Sequence, residues 1–216
     1  MSKGARVIAY LAVAAVAAIL FTALGDAVSH APLDALDLAA RPLAGEATSL
    51  AAVFTISCLF PVLASLGVIL LVVAIFAKAW RERIVTSVLT TLIFWKVMDA
   101  LKAAFGRPRP PYWHVFHETS PSYPSGHAMF ATIVYVLWAW FVWNSDLPAP
   151  LRRVVAPFLV LWACGVVWSR LALGAHYPTD LAGGVLLGIV ALALGAAIRA
   201  GIASRRRGAT TAAAAS

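Results

Sequence analysis

Long apolar runs make up most of the chain, and short polar segments separate them. Each run is near the roughly 20 residues that an α-helix needs to cross a bilayer, so the pattern predicts an all-α bundle of about six transmembrane helices. The predicted spans are residues 7–24, 50–77, 84–104, 125–143, 154–173 and 181–198. Pro61 lies inside the long second span, where it either kinks the helix or marks the start of its membrane part.

The remaining pattern predicts a single membrane domain. No internal repeat and no linker rich in Pro, Gly or Ser divides the chain. We therefore expect one six-span domain over residues 1–204. Residues 205–216 begin with three arginines and have no apolar face to bury, which predicts a disordered basic tail.

Composition agrees with a membrane protein, because 62% of the residues are hydrophobic and only 12% are charged, with a mean hydropathy of +0.87. Soluble domains carry about 25% charged residues, so this class is excluded. Cys58 and Cys164 lie within apolar runs without metal-ligand spacing. This favours small buried side chains over a disulfide or a metal site.

Lysine and arginine gather in the short loops on one side of the predicted bundle. These residues are Lys3, Arg6, Lys78, Arg81, Arg83, Arg152, Arg153, Arg199, Arg205, Arg206 and Arg207. By the positive-inside rule this side is cytoplasmic, which predicts a multi-pass protein of the cell (inner) membrane with both termini inside. The net charge of +8 then points to membrane lipids as partners, with no nucleic acid. The first run also fits a cleaved signal peptide, but its length favours a retained helix.

Three polar segments stand on the extracytoplasmic side, each where an apolar run begins or ends. They are Lys102-x6-Arg109-Pro110, Pro124-Ser125-Gly126-His127 and Ser169-Arg170-x5-His176-x3-Asp180. Arginine offers phosphate a planar fork of donors and lysine a point charge, so three cations together indicate a phosphoryl site. The repeated Arg107-Pro108-Arg109-Pro110 allows either arginine to be the ligand, and a single cation at a helix end often only reaches for lipid headgroups.

The second and third segments supply donors and a reactive pair. Ser125-Gly126-His127 starts a helix after Pro124, so free N–H groups and the positive end of the helix dipole face outward, although Ser125 also suits an ordinary N-cap. Pro178 suits the first turn of the last helix, which puts Asp180 just inside it and His176 just before it. The Asp180 carboxylate can accept from Nδ1 and leave Nε2 free as a nucleophile.

With these segments in this order, the chain resembles the type 2 phosphatidic acid phosphatase superfamily of integral-membrane lipid phosphate phosphatases. The family signatures KxxxxxxRP, PSGH and SRxxxxxHxxxD are met without a mismatch over residues 102–110, 124–127 and 169–180. PSGH alone is a weak motif, but the three together are highly specific. The first two predicted spans match only as unspecific hydrophobic helices.

The resemblance implies a hydrolase with no metal and no cofactor, in which His176 attacks phosphorus and forms a phosphohistidine. Asp180 would orient His176, while His127 would protonate the leaving oxygen and then activate water. The residues that would hold the phosphoryl oxygens are Lys102, Arg109, Ser125, Gly126 and Arg170. The implied substrate is a lipid phosphate or diphosphate of the outer leaflet, of the undecaprenyl diphosphate, phosphatidic acid or phosphatidylglycerol phosphate class.

Two other classes of protein use similar anion-binding residues. Vanadium haloperoxidases resemble the family at the anion site, but they are soluble, which six spans contradict. A non-enzymatic phospholipid-binding or transport protein would use the cations to bind headgroups. Such a protein has no use for a His176–Asp180 pair that faces His127.

Two features lie outside the signatures. Lys96 and Asp99 are inside the third span, where ionisable groups usually pair toward the bundle interior, so a structural pair is favoured over a direct catalytic role. The loop over residues 111–123 is either an interfacial anchor or a lid over the substrate headgroup. It carries Tyr112, Trp113, His114, Phe116 and His117.

Overall fold

A computed structural model describes residues 2–30, 34–45, 48–112 and 119–213, with the side chains of Lys3 and of residues 202–213 left out. Over these residues the chain forms nine α-helices and no β-strand, which confirms the all-α class. The helices are α1 (Lys3–Ser29), α2 (Ala35–Ala39), α3 (Thr48–Ile56), α4 (Phe60–Phe76), α5 (Arg81–Phe105), α6 (Gly126–Ala131), α7 (Leu137–Trp143), α8 (Ala149–Ala172) and α9 (Pro178–Ala213).

The described helices supply up to six membrane spans, as the sequence predicts. Five are long and apolar enough alone: α1, α5, α8, α9 as far as Gly201, and the continuous stretch Gly126–Trp143, in which a π-helical segment joins α6 to α7. The sixth is the pair α3 and α4, which meet at a bend of 43°. Pro61 lies in the first turn of α4, where its missing N–H needs no partner, so the predicted break in this span is found there.

The last helix continues past the predicted domain boundary. Its backbone is helical to Ala213, so it includes much of the segment 205–216 for which the sequence predicts a disordered tail. The division of the chain into a domain over 1–204 and a tail stays a prediction.

One end of the bundle collects the basic short loops. Arg83 donates to the Asn144 carbonyl at 3.3 Å, and the partly buried Arg199 lies 3.3 Å from the exposed Glu82. These contacts bring together the loops before α5 and α8 and the far part of α9. The three motif segments lie at the opposite end, so the basic loops and the motifs are separated along the bundle axis.

Close packing holds together the segments at the motif end of the bundle. The Tyr123 hydroxyl donates to the Phe21 carbonyl at 2.6 Å, which fixes α1 to the loop before α6. Ser125 N–H donates to the Asp180 carbonyl at 3.0 Å. A Cβ at Gly184 of α9 would collide with the Ser125 carbonyl oxygen, so only glycine lets α9 approach the start of α6 this closely. The first turns of α6 and α9 therefore form one packed unit.

Two expectations about single residues are wrong. Lys96 and Asp99 are exposed on α5 and do not face the interior, because Met98 and Lys102 mark the buried face and Lys96 projects almost opposite to Met98. Lys96 Nζ lies 4.4 Å from the centroid of the Trp95 ring. Both cysteines are free as expected, but only Cys58 is buried, whereas Cys164 is exposed on α8.

Candidate active site

The first signature brings two cations together around Ser120. Gly106, with φ of 61°, ends α5 in the left-handed conformation and turns the chain directly after Lys102 and its last turn. Lys102 Nζ donates to Ser120 Oγ at 3.1 Å and to the Pro121 carbonyl at 2.8 Å. Arg109 donates from Nε to the Ser120 carbonyl at 2.8 Å and from Nη2 to Ser120 Oγ at 3.1 Å. The two positive groups are thereby held side by side.

His176 is almost completely buried, with 2% of its surface exposed, and its two ring nitrogens face different partners. Nδ1 lies 3.4 Å from Asp180 Oδ2, and Nε2 lies 3.2 Å from Arg109 Nη1. Because a guanidinium only donates, Nε2 accepts and Nδ1 carries the hydrogen. Burial lowers the pKa of His176 well below its ordinary value, and the charges of Arg109, Arg170 and Lys102 lower it further. The imidazole is therefore neutral at neutral pH, with its lone pair on Nε2.

The start of α6 lies next to open space among the described residues. Ser125 is the N-cap, and its Oγ accepts from Ala128 N–H at 3.4 Å, so the simple capping role is present. A Cβ added at Gly126 would meet nothing nearer than Met98 Cγ at 4.0 Å. Packing within the described residues therefore does not require glycine here, and room remains above the helix N-terminus for a ligand.

His127 projects from the first turn of α6 into a positively charged surrounding. The charges of Arg170, His176, Lys102 and Arg109 all act on its imidazole. Its Nε2 is shielded from solvent and has no hydrogen-bond partner among the residues that the structure describes. An unpartnered buried nitrogen loses free energy unless water or a ligand completes it, so this atom is available to a bound group.

The Arg170 side chain is anchored by a hydrogen bond to a residue of the second span. Its side chain is 1% exposed, and Nη1 donates to Thr55 Oγ1 of α3 at 3.2 Å. Thr55 Oγ1 lies 2.8 Å from Ser169 Oγ, which in turn donates to the Val166 carbonyl at 2.6 Å. Since Ser169 gives its hydrogen to Val166, Thr55 donates to Ser169 and accepts from Arg170. This chain of hydrogen bonds fixes the guanidinium at the end of α8 that carries the third signature.

Comparison with known families finds that residues 83–202 match the family model described as the PAP2 superfamily. The chain belongs to the PAP2 superfamily. The match contains all three polar signatures, and the structure brings their eight predicted site residues to one end of the PAP2 bundle. These residues are Lys102, Arg109, Ser125, Gly126, His127, Arg170, His176 and Asp180. The chemical role of each stays a prediction.

Individual PAP2 relatives are lipid phosphatases by name. The chain is 36% identical over 92 residues to phosphatidylglycerophosphatase B of Bacillus subtilis, covering 42% of this chain and 45% of that protein. It is 32% identical over 110 residues to lipid A 1-phosphatase of Rhizobium etli, covering 46% and 43%. The chain thus spans less than half the length of these curated relatives.

A solved structure extends the similarity of this PAP2 chain beyond the signatures. The crystal structure of a transmembrane PAP2-type phosphatidylglycerolphosphate phosphatase from Bacillus subtilis matches with a TM-score of 0.71 and 26% identity. The match covers 84% of this chain and 93% of that one. It therefore includes most of the helical bundle.

The structure distinguishes the two arginines that the sequence left as alternatives in this PAP2 site. Arg109 contacts His176, whereas Arg107 points away into a pair of carboxylates. Arg107 Nη1 lies 2.6 Å from Asp180 Oδ1 and Nη2 lies 2.6 Å from Asp37 Oδ2. Burial alone would lower the pKa of Arg107, but the two carboxylates outweigh it and raise that pKa. Arg109 is therefore the arginine that contacts the predicted nucleophile, and its role as a ligand-binding residue stays a prediction.

Sequence reasoning missed Asp37, Thr55 and Ser120. Asp37 lies in α2, between α1 and α3, and is fully buried. No local pattern marks these residues, because each reaches the PAP2 site through tertiary contacts with distant segments. The predicted lid residues Trp113, His114, Phe116 and His117 lie outside the described part of the chain, while Tyr112 faces Arg41 at 5.9 Å.

Proposed function

We propose that this protein is an integral-membrane phosphatase that removes the terminal phosphate from a lipid phosphate or diphosphate through a phosphohistidine. One observation carries the proposal: the buried His176 places its Nε2 3.2 Å from Arg109 Nη1, with the partly buried imidazole of His127 nearby. The cations Lys102, Arg109 and Arg170 suit a phosphate dianion, and electrostatic stabilisation of this kind is often the largest part of catalysis.

The first chemical step transfers the phosphoryl group to His176. Phosphate oxygens would accept the Arg109 donor that now lies 3.2 Å from Nε2, which frees the lone pair for attack. The new N–P bond forms as the bond between phosphorus and the lipid oxygen breaks. The negative charge of the bound phosphate would let His127 take up a second proton from solvent, which it then gives to that leaving oxygen. Asp180 stabilises the positive charge that develops on the His176 ring.

The second step releases phosphate. His127, now neutral, takes a proton from a water molecule while the oxygen of that water attacks phosphorus. The N–P bond breaks, its electron pair returns to His176 Nε2, and inorganic phosphate leaves. The proposal needs no metal ion, since the positive charges come from side chains.

A lateral apolar cavity supports a lipid substrate. It has a volume of about 210 Å³ and lies between α4, α5 and the helix that begins with α6. Phe130, one turn from His127 along α6, is part of its lining. An acyl or prenyl chain in this space would leave its phosphate at the motif end. The charged residues of the site would recognise only the phosphate group of a substrate. This, together with the names of the relatives, fits the undecaprenyl diphosphate, phosphatidic acid and phosphatidylglycerol phosphate class.

Phosphate release from a panel of lipids tests this function. We expect the purified full chain to release phosphate from at least one of these three lipids in detergent micelles, with excess chelator present. Vanadate should inhibit, because it mimics pentacoordinate phosphorus. Release from none of them would overturn the phosphatase proposal, and complete loss in chelator that Mg²⁺ restores would overturn its independence of metal.

We further propose that the motif end faces out of the cytoplasm and that both termini lie inside. The support is the separation of the basic loops from the motifs. In a chain with Cys58 and Cys164 replaced by alanine, a cysteine at exposed Thr119 should react with an impermeant thiol reagent in intact cells. A cysteine at exposed Asp146 should react only after lysis. The opposite labelling would show that the topology is inverted.

A further inference from the structure

A buried arginine between two carboxylates connects the first outer loop to the reactive pair. Arg107 is 2% exposed and bridges Asp37, which is 0% exposed, to Asp180. The signatures contain Asp180 but neither Asp37 nor Arg107. We propose that Asp37 is a positioning residue of the active site, which acts through Arg107 and Thr179 to fix Asp180 and to leave net negative charge beside His176. This inference rests on the proposed phosphatase function.

The first part of the argument is geometric. Asp37 Oδ1 accepts from Thr179 N–H at 3.1 Å and from Thr179 Oγ1 at 2.8 Å, so it caps the first turn of α9 from another segment. A carboxylate is favourable at a helix N-terminus, where unpaired N–H groups and the helix dipole meet. Thr179 is adjacent to Asp180 in that turn. Asp37 therefore holds the piece of backbone from which Asp180 reaches His176.

Arg107 completes the geometry. Its Nη1 donates to Asp180 Oδ1 at 2.6 Å and to Thr179 Oγ1 at 2.7 Å, while Tyr177 covers the guanidinium with its ring at 4.5 Å. Because Oδ1 is occupied by Arg107, the other oxygen, Oδ2, faces Tyr177 N–H at 2.9 Å and His176 Nδ1 at 3.4 Å. The rotation of the carboxylate is thus fixed from both sides.

The second part of the argument concerns charge. Asp180 and Arg107 alone would form a neutral pair, which gives little net attraction to a positive imidazole ring. Asp37 cancels the charge of Arg107, so the three groups together carry one net negative charge. When His176 bears the phosphoryl group its ring becomes positive, and this residual charge stabilises it in a water-poor site.

The other charged and titratable groups around His176 are cationic or neutral. They are Lys102, Arg109, Arg170 and His127. The cluster of Asp37, Arg107 and Asp180 is therefore the source of negative charge on this imidazole among the described residues. Removal of one negative charge from the cluster must make protonation of His176 harder.

The decisive variant is Asp37→Asn, which keeps the shape of the side chain and removes its charge. We expect kcat to fall by about 10- to 100-fold with a smaller change in KM, because the cationic side chains proposed to bind the substrate are unchanged. The acid limb of kcat/KM, which reports the free enzyme, should move to lower pH because His176 becomes harder to protonate. The matched control is the exposed Asp34→Asn, which also loses one charge; because asparagine can still accept from Asp37 N–H as Asp34 Oδ1 does at 2.8 Å, it should keep the wild-type rate and limb.

The double variant Asp37→Asn/Arg107→Gln separates charge from structural damage. It restores one net negative charge, so its acid limb should return toward that of the wild type even though it has one more substitution in the core. If both the single and the double variant keep the wild-type limb while losing activity, Asp37 has only a structural role and the inference is overturned.

If Asp37→Asn does not yield folded protein, Thr179→Val provides the test. It removes the hydroxyl that joins Asp37, Arg107 and α9 but leaves every charge in place. We expect a lower kcat with an unshifted acid limb, and an unchanged kcat would overturn the inference. Wild-type protein is assayed in parallel: an inactive wild type contradicts the proposed function, whereas an active wild type with unaffected variants contradicts only the role of Asp37.

Discussion

His176→Ala is expected to abolish phosphate release, by a factor on the order of 10⁴ or more, and to abolish covalent labelling of the protein by a phosphate-labelled lipid. His176 is the described histidine that has both a carboxylate on Nδ1 and an arginine on Nε2. With alanine in its place, no imidazole in the described site is oriented by Asp180. Rapid acid quench during turnover, followed by mapping of the labelled peptide, measures the effect.

The control for this experiment is His30→Ala, which removes an exposed histidine at the end of α1. It should keep both turnover and the label. If the label survives in His176→Ala, or maps to the peptide that contains His127, the roles of the two histidines are reversed. The lipid phosphatase proposal would survive that outcome, because it depends on hydrolysis and not on which imidazole is the nucleophile.

His127→Ala is expected to lower turnover of a lipid phosphate by about 10²- to 10⁴-fold, the usual contribution of a general acid–base group. The loss should depend on the leaving group. An aryl phosphate leaves without a proton donor, so the first step should be partly rescued with such a substrate. Hydrolysis of the phosphoenzyme still needs water activation, so the labelled intermediate should accumulate in this variant.

Burst kinetics with an aryl phosphate measure this accumulation. The expected trace is a rapid release of about one equivalent of phenol per active site, followed by slow turnover. An equal loss of activity for lipid and aryl substrates, without a burst, would contradict proton transfer by His127. The Nε2 of this residue, which has no partner in the described part of the chain, would then have to be explained by phosphate binding alone.

Much of the site was predictable because its central contacts are local in sequence. His176 and Asp180 are four residues apart across a helix start, and the N-cap of α6 follows directly from Pro124 and Ser125. The membrane spans were predictable for a similar reason, because length and apolar composition alone determine them. Pro61 marked the break between α3 and α4 through its missing N–H.

The supporting contacts were not predictable, because they join distant segments. Asp37 and Thr179 are 142 residues apart, and Thr55 and Arg170 are 115 residues apart. No pattern within a single loop or span shows which residues the bundle will bring together. The prediction that Lys96 and Asp99 face the bundle interior was wrong for a related reason. Their depth in the span follows from the sequence, but the rotation of α5 about its axis depends on how it packs against its neighbours.

The buried arginines also limit how far the protein can be shortened. The segment that matches the family model begins at residue 83, and it includes every signature. A chain cut to that segment would retain Arg107 and Arg170 but lose Asp37 and Thr55, which hold them. A buried ion that loses its partner typically costs about 3–5 kcal/mol, a large part of the stability of an ordinary domain. The segment that matches the family model is thus too short to fold with an ordered site. The smallest chain that we expect to do so begins before Asp37.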